Sequence, residues 1–258
     1  MTPDTIATIA FAAFGLCIGS FLNVVIHRLP RGTSVVTPPS RCPGCNYQLR
    51  WSDNVPVLSW VFLRGRCRKC RAPISIRYPI VEILTMLMFL LHLWLFGWSA
   101  LLIVRVAFAT ALIALFAIDL EHHLLPNAIT LPGIVVGLIV SLVLPPGIVD
   151  SLLGTLLGGG VLWAIGEAYY RYSGQEGMGG GDVKMLAMIG AFLGWKLVLV
   201  TLVLSSIGGS LIGVLVIAIK RGGMKHALPY GTFLALGALA ASLVGDRIIA
   251  WYLGMYEF

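Results

Sequence analysis

Long apolar runs, separated by short polar or glycine-containing breaks, dominate this chain. At ~1.5 Å per residue, a run of ~20 residues spans the ~30 Å hydrocarbon layer of a bilayer as a helix. Runs at about 6–26, 80–96, 101–118, 128–144, 149–170, 183–193, 197–219 and 231–252 predict eight transmembrane helices. The run 183–193 is short enough to be a re-entrant or buried segment instead. One long polar interval interrupts the series. The pattern predicts an all-α polytopic membrane protein in three parts: a first helix (1–28), a small module (29–79) and a membrane-embedded remainder (80–258). Composition agrees, with 58% hydrophobic and 11% charged residues in 258, against roughly 25% charged in soluble domains.

The formal net charge of +7 would suggest a nucleic-acid partner in a soluble protein. Here ten of the 18 Lys and Arg fall between Arg28 and Arg77. The positive-inside rule then puts that interval in the cytoplasm, where lipid headgroups are the simpler partner and nucleic acid is not expected. No Lys or Arg precedes the first run, so it reads as an uncleaved helix with its N-terminus outside. Alternate crossings bring inside the segment after Asp119, the loop containing Arg171 and Glu176, and Lys220, Arg221 and Lys225. They leave the C-terminus, with Glu257, outside. Arg105 and Lys196 fall at outer ends and are expected to snorkel.

Four of the five cysteines form two pairs, Cys42-Pro-Gly-Cys45 and Cys67-Arg-Lys-Cys70, separated by residues 46–66. Two Cys-x-x-Cys knuckles at such spacing can set four thiolates around zinc, and a reducing compartment disfavours disulfides. Four thiolates leave no open position, so this metal is expected to be structural. Cys17 lies within the first helix and reads as a packing residue.

Asp119 and Asp182 each stand where an apolar run meets a polar loop, and the crossing order puts both on the cytoplasmic side. Ionisable groups at the edge of hydrocarbon are costly and point to function. Gly179-Gly180-Gly181 ahead of Asp182 permits close backbone approach, and Pro126-Asn127 after Asp119 marks a helix restart. Two carboxyls brought together could share a proton and activate water. The same residues also suit a proton-coupled transporter built on broken helices. Lys184 is either a partner of the carboxyls or a mark of the cytoplasmic boundary. His122 and His123 read as exposed loop residues.

Several stretches resemble the type IV prepilin peptidases, in order along the chain. They are Gly19-Ser20-Phe21-Leu22-Asn23, the two cysteine pairs, Arg77-Tyr78-Pro79-Ile80-Val81-Glu82, and Asp119 with Leu125-Pro126-Asn127. Gly179-Gly180-Gly181-Asp182 and Leu228-Pro229-Tyr230-Gly231-Thr232-Phe233 follow, with Thr232 where a proline is usual. The resemblance implies an aspartyl endopeptidase of the bacterial inner membrane. Asp119 and Asp182 would be catalytic, with Gly179, Gly181, Lys184 and Asn127 supporting them. It implies removal of short basic leaders from prepilins or pseudopilins. It also implies methylation of the new N-terminus with S-adenosylmethionine, to which Glu82 would contribute. Met86 departs from the glycine often found near that point. The Gly-x-Gly-Asp motif is also similar to that of other intramembrane aspartyl proteases, which leaves a different substrate as the alternative.

Overall fold

The computed structural model describes residues 3–175, 177, 179–220 and 229–255. Glu176, Arg221, Lys225, Leu228 and Glu257, used above to read loops and motifs, lie outside the described residues. Among the described residues there is no β-strand, only two isolated bridges. The chain divides into two compact units, Met1–Leu102 and Ile103–Phe258. The expected boundary after residue 79 therefore falls inside the first unit.

The first unit holds α1 (Pro3–Arg28), the cysteine segment with the short α2 (Leu58–Phe62), and α3 (Arg77–Phe96). Helices α1 and α3 pack through small residues: a Cβ on Gly19 would lie 2.6 Å from the Glu82 Cα, and one on Gly15 3.0 Å from the Met86 Cα. Lipid tails are as apolar as leucine, so such backbone proximity, with its dense van der Waals contact, holds membrane helices together. The Asn23 amide closes the contact by donating to the Tyr78 carbonyl at 3.0 Å.

The second unit holds most of α4 (Ala100–His122), then α5 (Asn127–Val140), α6 (Ile148–Ser173), α7 (Gly180–Lys220) and α8 (Tyr230–Gly254). Pro132 lies within α5, which ends earlier than its apolar run suggests. Among the described residues, six helices are long and apolar enough to cross a membrane, and α5 is a shorter apolar helix.

Helix α7 accounts for two predicted runs. It is continuous over 41 residues except at Gly194, whose φ of 78° is non-helical. A straight helix would put Gly181 and Gly209 about 42 Å apart at ~1.5 Å per residue. Yet Leu125 abuts both Gly181 and Gly231, and Phe233 abuts Gly209. Gly194 therefore turns the chain back on itself, a conformation glycine adopts without steric cost. The first arm, the short run 183–193, is the most buried stretch of the unit, with Met185, Leu186, Met188, Ile189 and Ala191 at 0% exposure.

That burial depends on α6. A Cβ on Gly158 would lie 2.5 Å from the Leu186 carbonyl oxygen, and one on Gly154 2.6 Å from that of Gly190. Ser151 Oγ adds a bond to the Ala191 carbonyl at 2.9 Å. Arg105 corrects an expectation. Instead of snorkelling outward it is buried and interacts electrostatically with Asp246 of α8, because a charge inside the helix bundle needs a counter-charge. Lys196 Nζ lies 5.8 Å from the Trp195 ring centroid.

Candidate active site

Helix α4 ends beyond Asp119, where His123, at φ 49°, donates its amide to the Asp119 carbonyl at 2.9 Å. This left-handed turn stops the helix and directs Leu124 and Leu125 toward the start of α5 at Pro126. Leu125 is buried and separates two helix beginnings. A Cβ on Gly181 would lie 3.0 Å from Leu125 Cβ, and one on Gly231 2.8 Å from Leu125 Cδ1. The first turns of α7 and α8 thus converge on the C-terminal end of α4.

At the start of each of those helices a backbone amide is presented to one of the two aspartates. Asp119 Oδ2 accepts the Thr232 amide at 2.6 Å and the Thr232 hydroxyl at 3.0 Å. Thr232 is the third residue of α8, so Asp119 caps that helix from outside. Asp182 is the third residue of α7, and its carboxylate accepts the Gly179 amide just ahead of the helix. The two carboxyls interact electrostatically across the junction. Helix N-termini carry partial positive charge, which offsets the cost of bringing two acids together. Asp119 is the buried member at 5% exposure, whereas Asp182 is half-buried.

The expected supporting residues divide. Gly179 and Gly181 lie at the junction because a side chain would strike the Asp182 carboxylate or Leu125. Lys184 Nζ donates to Asn127 Oδ1 at 2.9 Å, tying α7 to the start of α5. His122 lies 3.8 Å from the neighbouring Glu121 carboxylate, and His123 is exposed. Sequence reasoning missed Thr232, Gly231 and Leu125 as site residues. Thr232 was visible only as a departure from proline, yet its amide and hydroxyl are two donors that a proline lacks.

The four cysteines meet in the first unit. Their sulfurs all lie within 4.8 Å of one another, with Cys42 and Cys70 at 3.7 Å. Tetrahedral bonds of ~2.3 Å to zinc imply S···S separations of about 3.8 Å, and a disulfide needs ~2.05 Å. The cluster therefore fits a four-thiolate metal site. The two knuckles repeat one fold that the sequence reading did not register. The Cys42 amide bonds to the Tyr47 carbonyl as that of Cys67 does to Ala72, and Asn46 and Arg71 are both left-handed. Backbone amides of Cys70 and Lys69 pull the Cys67 thiol down to about 6, which favours the thiolate that binds metal. Glu82 is buried and accepts the Val57 amide at 2.7 Å and the Ser20 side chain.

Residues 13–96 match the bacterial peptidase A24 N-terminal domain, and residues 106–214 match the type IV leader peptidase family. A prepilin leader peptidase/N-methyltransferase of Aeromonas hydrophila is 40% identical, covering 93% of this chain and 91% of its own. Proteins of the same name from Pseudomonas putida (38% identical, 97% and 94% covered) and Pseudomonas aeruginosa (35%, 95% and 92%) are also similar. No solved structure matches. With this identity along nearly the whole chain, the protein belongs to the type IV leader peptidase family.

Proposed function

We propose that this chain is an inner-membrane endopeptidase that removes the leader of prepilins or pseudopilins, with Asp119 and Asp182 as its catalytic pair. The observation that carries the assignment is the convergence of two carboxyls at the first turns of α7 and α8. The pair holds one proton. The ionised carboxyl takes a proton from water, and the protonated one donates to the scissile carbonyl. Thr232 and the Gly179 amide hold the two carboxyls in place, Gly179 and Gly181 give a substrate backbone room, and Lys184 with Asn127 braces the junction. The peptidase domain is the second unit.

Charge supports a cytoplasmic position for residues 28–77 and for the aspartates, with both termini outside. Zinc would be held by Cys42, Cys45, Cys67 and Cys70 and would supply a structural cross-link only. The relatives' name includes N-methylation, and we extend it to this chain with S-adenosylmethionine as donor. Glu82 is the candidate contact: two of the acceptor positions of its carboxylate are occupied within the chain, which fixes its orientation. The test is cleavage of a prepilin by the chain in vesicles, read by mass. Leader loss that disappears in both Asp119→Asn and Asp182→Asn supports the pair. Full activity in either variant overturns it, and a methyl mass increment on the product reports the second activity.

A further inference from the structure

The apolar side chains of the cysteine module are the least explained part of the first unit. Trp51, Leu58, Val61 and Phe62 are 84%, 55%, 56% and 81% exposed. Within α2 the opposite side is occupied, since Trp60 donates to the Ile74 carbonyl at 3.1 Å and its ring lies against Gly65. An open apolar hollow of about 310 Å³ runs along the exposed side, with Val55, Leu58, Phe62 and Leu63 among its walls.

The depth of α2 gives this surface meaning. Val57, immediately ahead of it, donates its amide to Glu82. Glu82 is the sixth residue of α3, about 7.5 Å along the helix from Arg77 at ~1.5 Å per residue. It also lies against Gly19, well inside the apolar run of α1 that ends near Ile26. The beginning of α2 is thus level with the hydrocarbon-spanning parts of both helices. Val57 holds φ 59°, a strained conformation for a β-branched residue, in order to make that contact.

Charge selects the partner. Arg64, Arg66, Lys69 and Arg71 follow α2 and are exposed, while Arg68 is paired with Asp53 at 2.7 Å, and no further Asp or Glu occurs from Asn54 to Val81. A second copy would set like charges together, and a basic peptide would be repelled. An anionic phospholipid surface satisfies both the apolar and the basic groups. We propose that α2 is an interfacial wedge, its Leu58, Val61 and Phe62 inserted among acyl chains and the arginines on the headgroups, seating the cysteine module on the membrane. This rests on the first unit alone and not on the peptidase reading.

The test places p-benzoylphenylalanine at Phe62, at Trp94 on the exposed side of α3, or at Lys69. The full chain is reconstituted in vesicles of phosphatidylcholine with and without phosphatidylglycerol, irradiated and mass-analysed. Lipid adducts at position 62 should match those at 94, exceed those at 69 several-fold, and rise with phosphatidylglycerol. Arg64→Ala should lower that rise by up to about fivefold, the factor for ~1 kcal/mol per basic residue at an anionic surface. Absence of lipid adducts at 62 beside strong labelling at 94 overturns the proposal. So does capture there of a second copy or of an added prepilin peptide.

Discussion

The cysteine cluster and the aspartate junction are both four-part convergences, but they are assembled on different scales. In the cluster, two local turns of similar fold each deliver two sulfurs, and only one long-range pairing is needed. At the junction, the C-terminal end of α4, Leu125, and the first turns of α7 and α8 must all arrive together. A staple made of local turns can tolerate helix rearrangement. A site made of helix ends depends on the packing of every helix that carries it.

The largest expected effect tests whether the aspartates act as one unit. Asp119→Asn and Asp182→Asn should each lower single-turnover cleavage by about 10³-fold or more, with the double variant no slower than the worse single one. Multiplicative losses would separate the two residues. Next comes packing remote from the chemistry. Gly190→Leu has no space, since a Cβ there would meet the Gly154 carbonyl. Overpacking of this kind costs ~1–3 kcal/mol or more. Cleavage and thermal stability in detergent should fall together while metal content is retained. Loss of metal as well would show that the cysteine cluster depends on the packing of α6 against α7.

The converse change is Cys67→Ser. It should abolish stoichiometric zinc, measured by elemental analysis, and expose residues 29–79 to protease. Unchanged zinc content would count against four-cysteine ligation. A smaller effect is expected at Thr232. Thr232→Val removes the hydroxyl but keeps the amide to Asp119. A kcat drop of about tenfold with KM unchanged corresponds to roughly 1.5 kcal/mol of hydrogen bonding to a carboxylate. Thr232→Ser should restore the rate, and equal loss in both variants would make the effect one of packing.

The smallest effect lies in the cysteine module. Burial pushes the Asp53 carboxyl up, but Arg68 at 2.7 Å, the Arg50 amide and Tyr47 outweigh it and hold the group below its ordinary 3.8. A depressed folded value means this stabilisation is complete above the ordinary value and is lost as pH falls through the folded one. Asp53→Asn should flatten the acid limb of module unfolding, followed by metal release. An unchanged limb would remove Asp53 from that role.

Periodicity and spacing determined the helical class, the apolar segments from which α1 and α3–α8 form (α7 from two of them), the cysteine pairs and the candidacy of Asp119 and Asp182. Each is a short-range property: apolar length sets a span, and knuckle spacing sets a ligand pair. The resemblance then supplied the family that the comparisons bear out. Glycine positions were visible as composition, but which backbone each one approaches was not. Arg105 looked like an interfacial residue because a sequence does not reveal which face of a helix meets Asp246. Thr232 looked like a deviation because its amide becomes a ligand for Asp119 only when α8 begins beside α4. Tertiary structure alone decided the reversal at Gly194, the pairing of α6 with the first arm of α7, and the meeting of two helix N-termini around two acids. Those outcomes depend on backbone approach between distant segments, and hydrophobic pattern carries no record of which segment will be the neighbour.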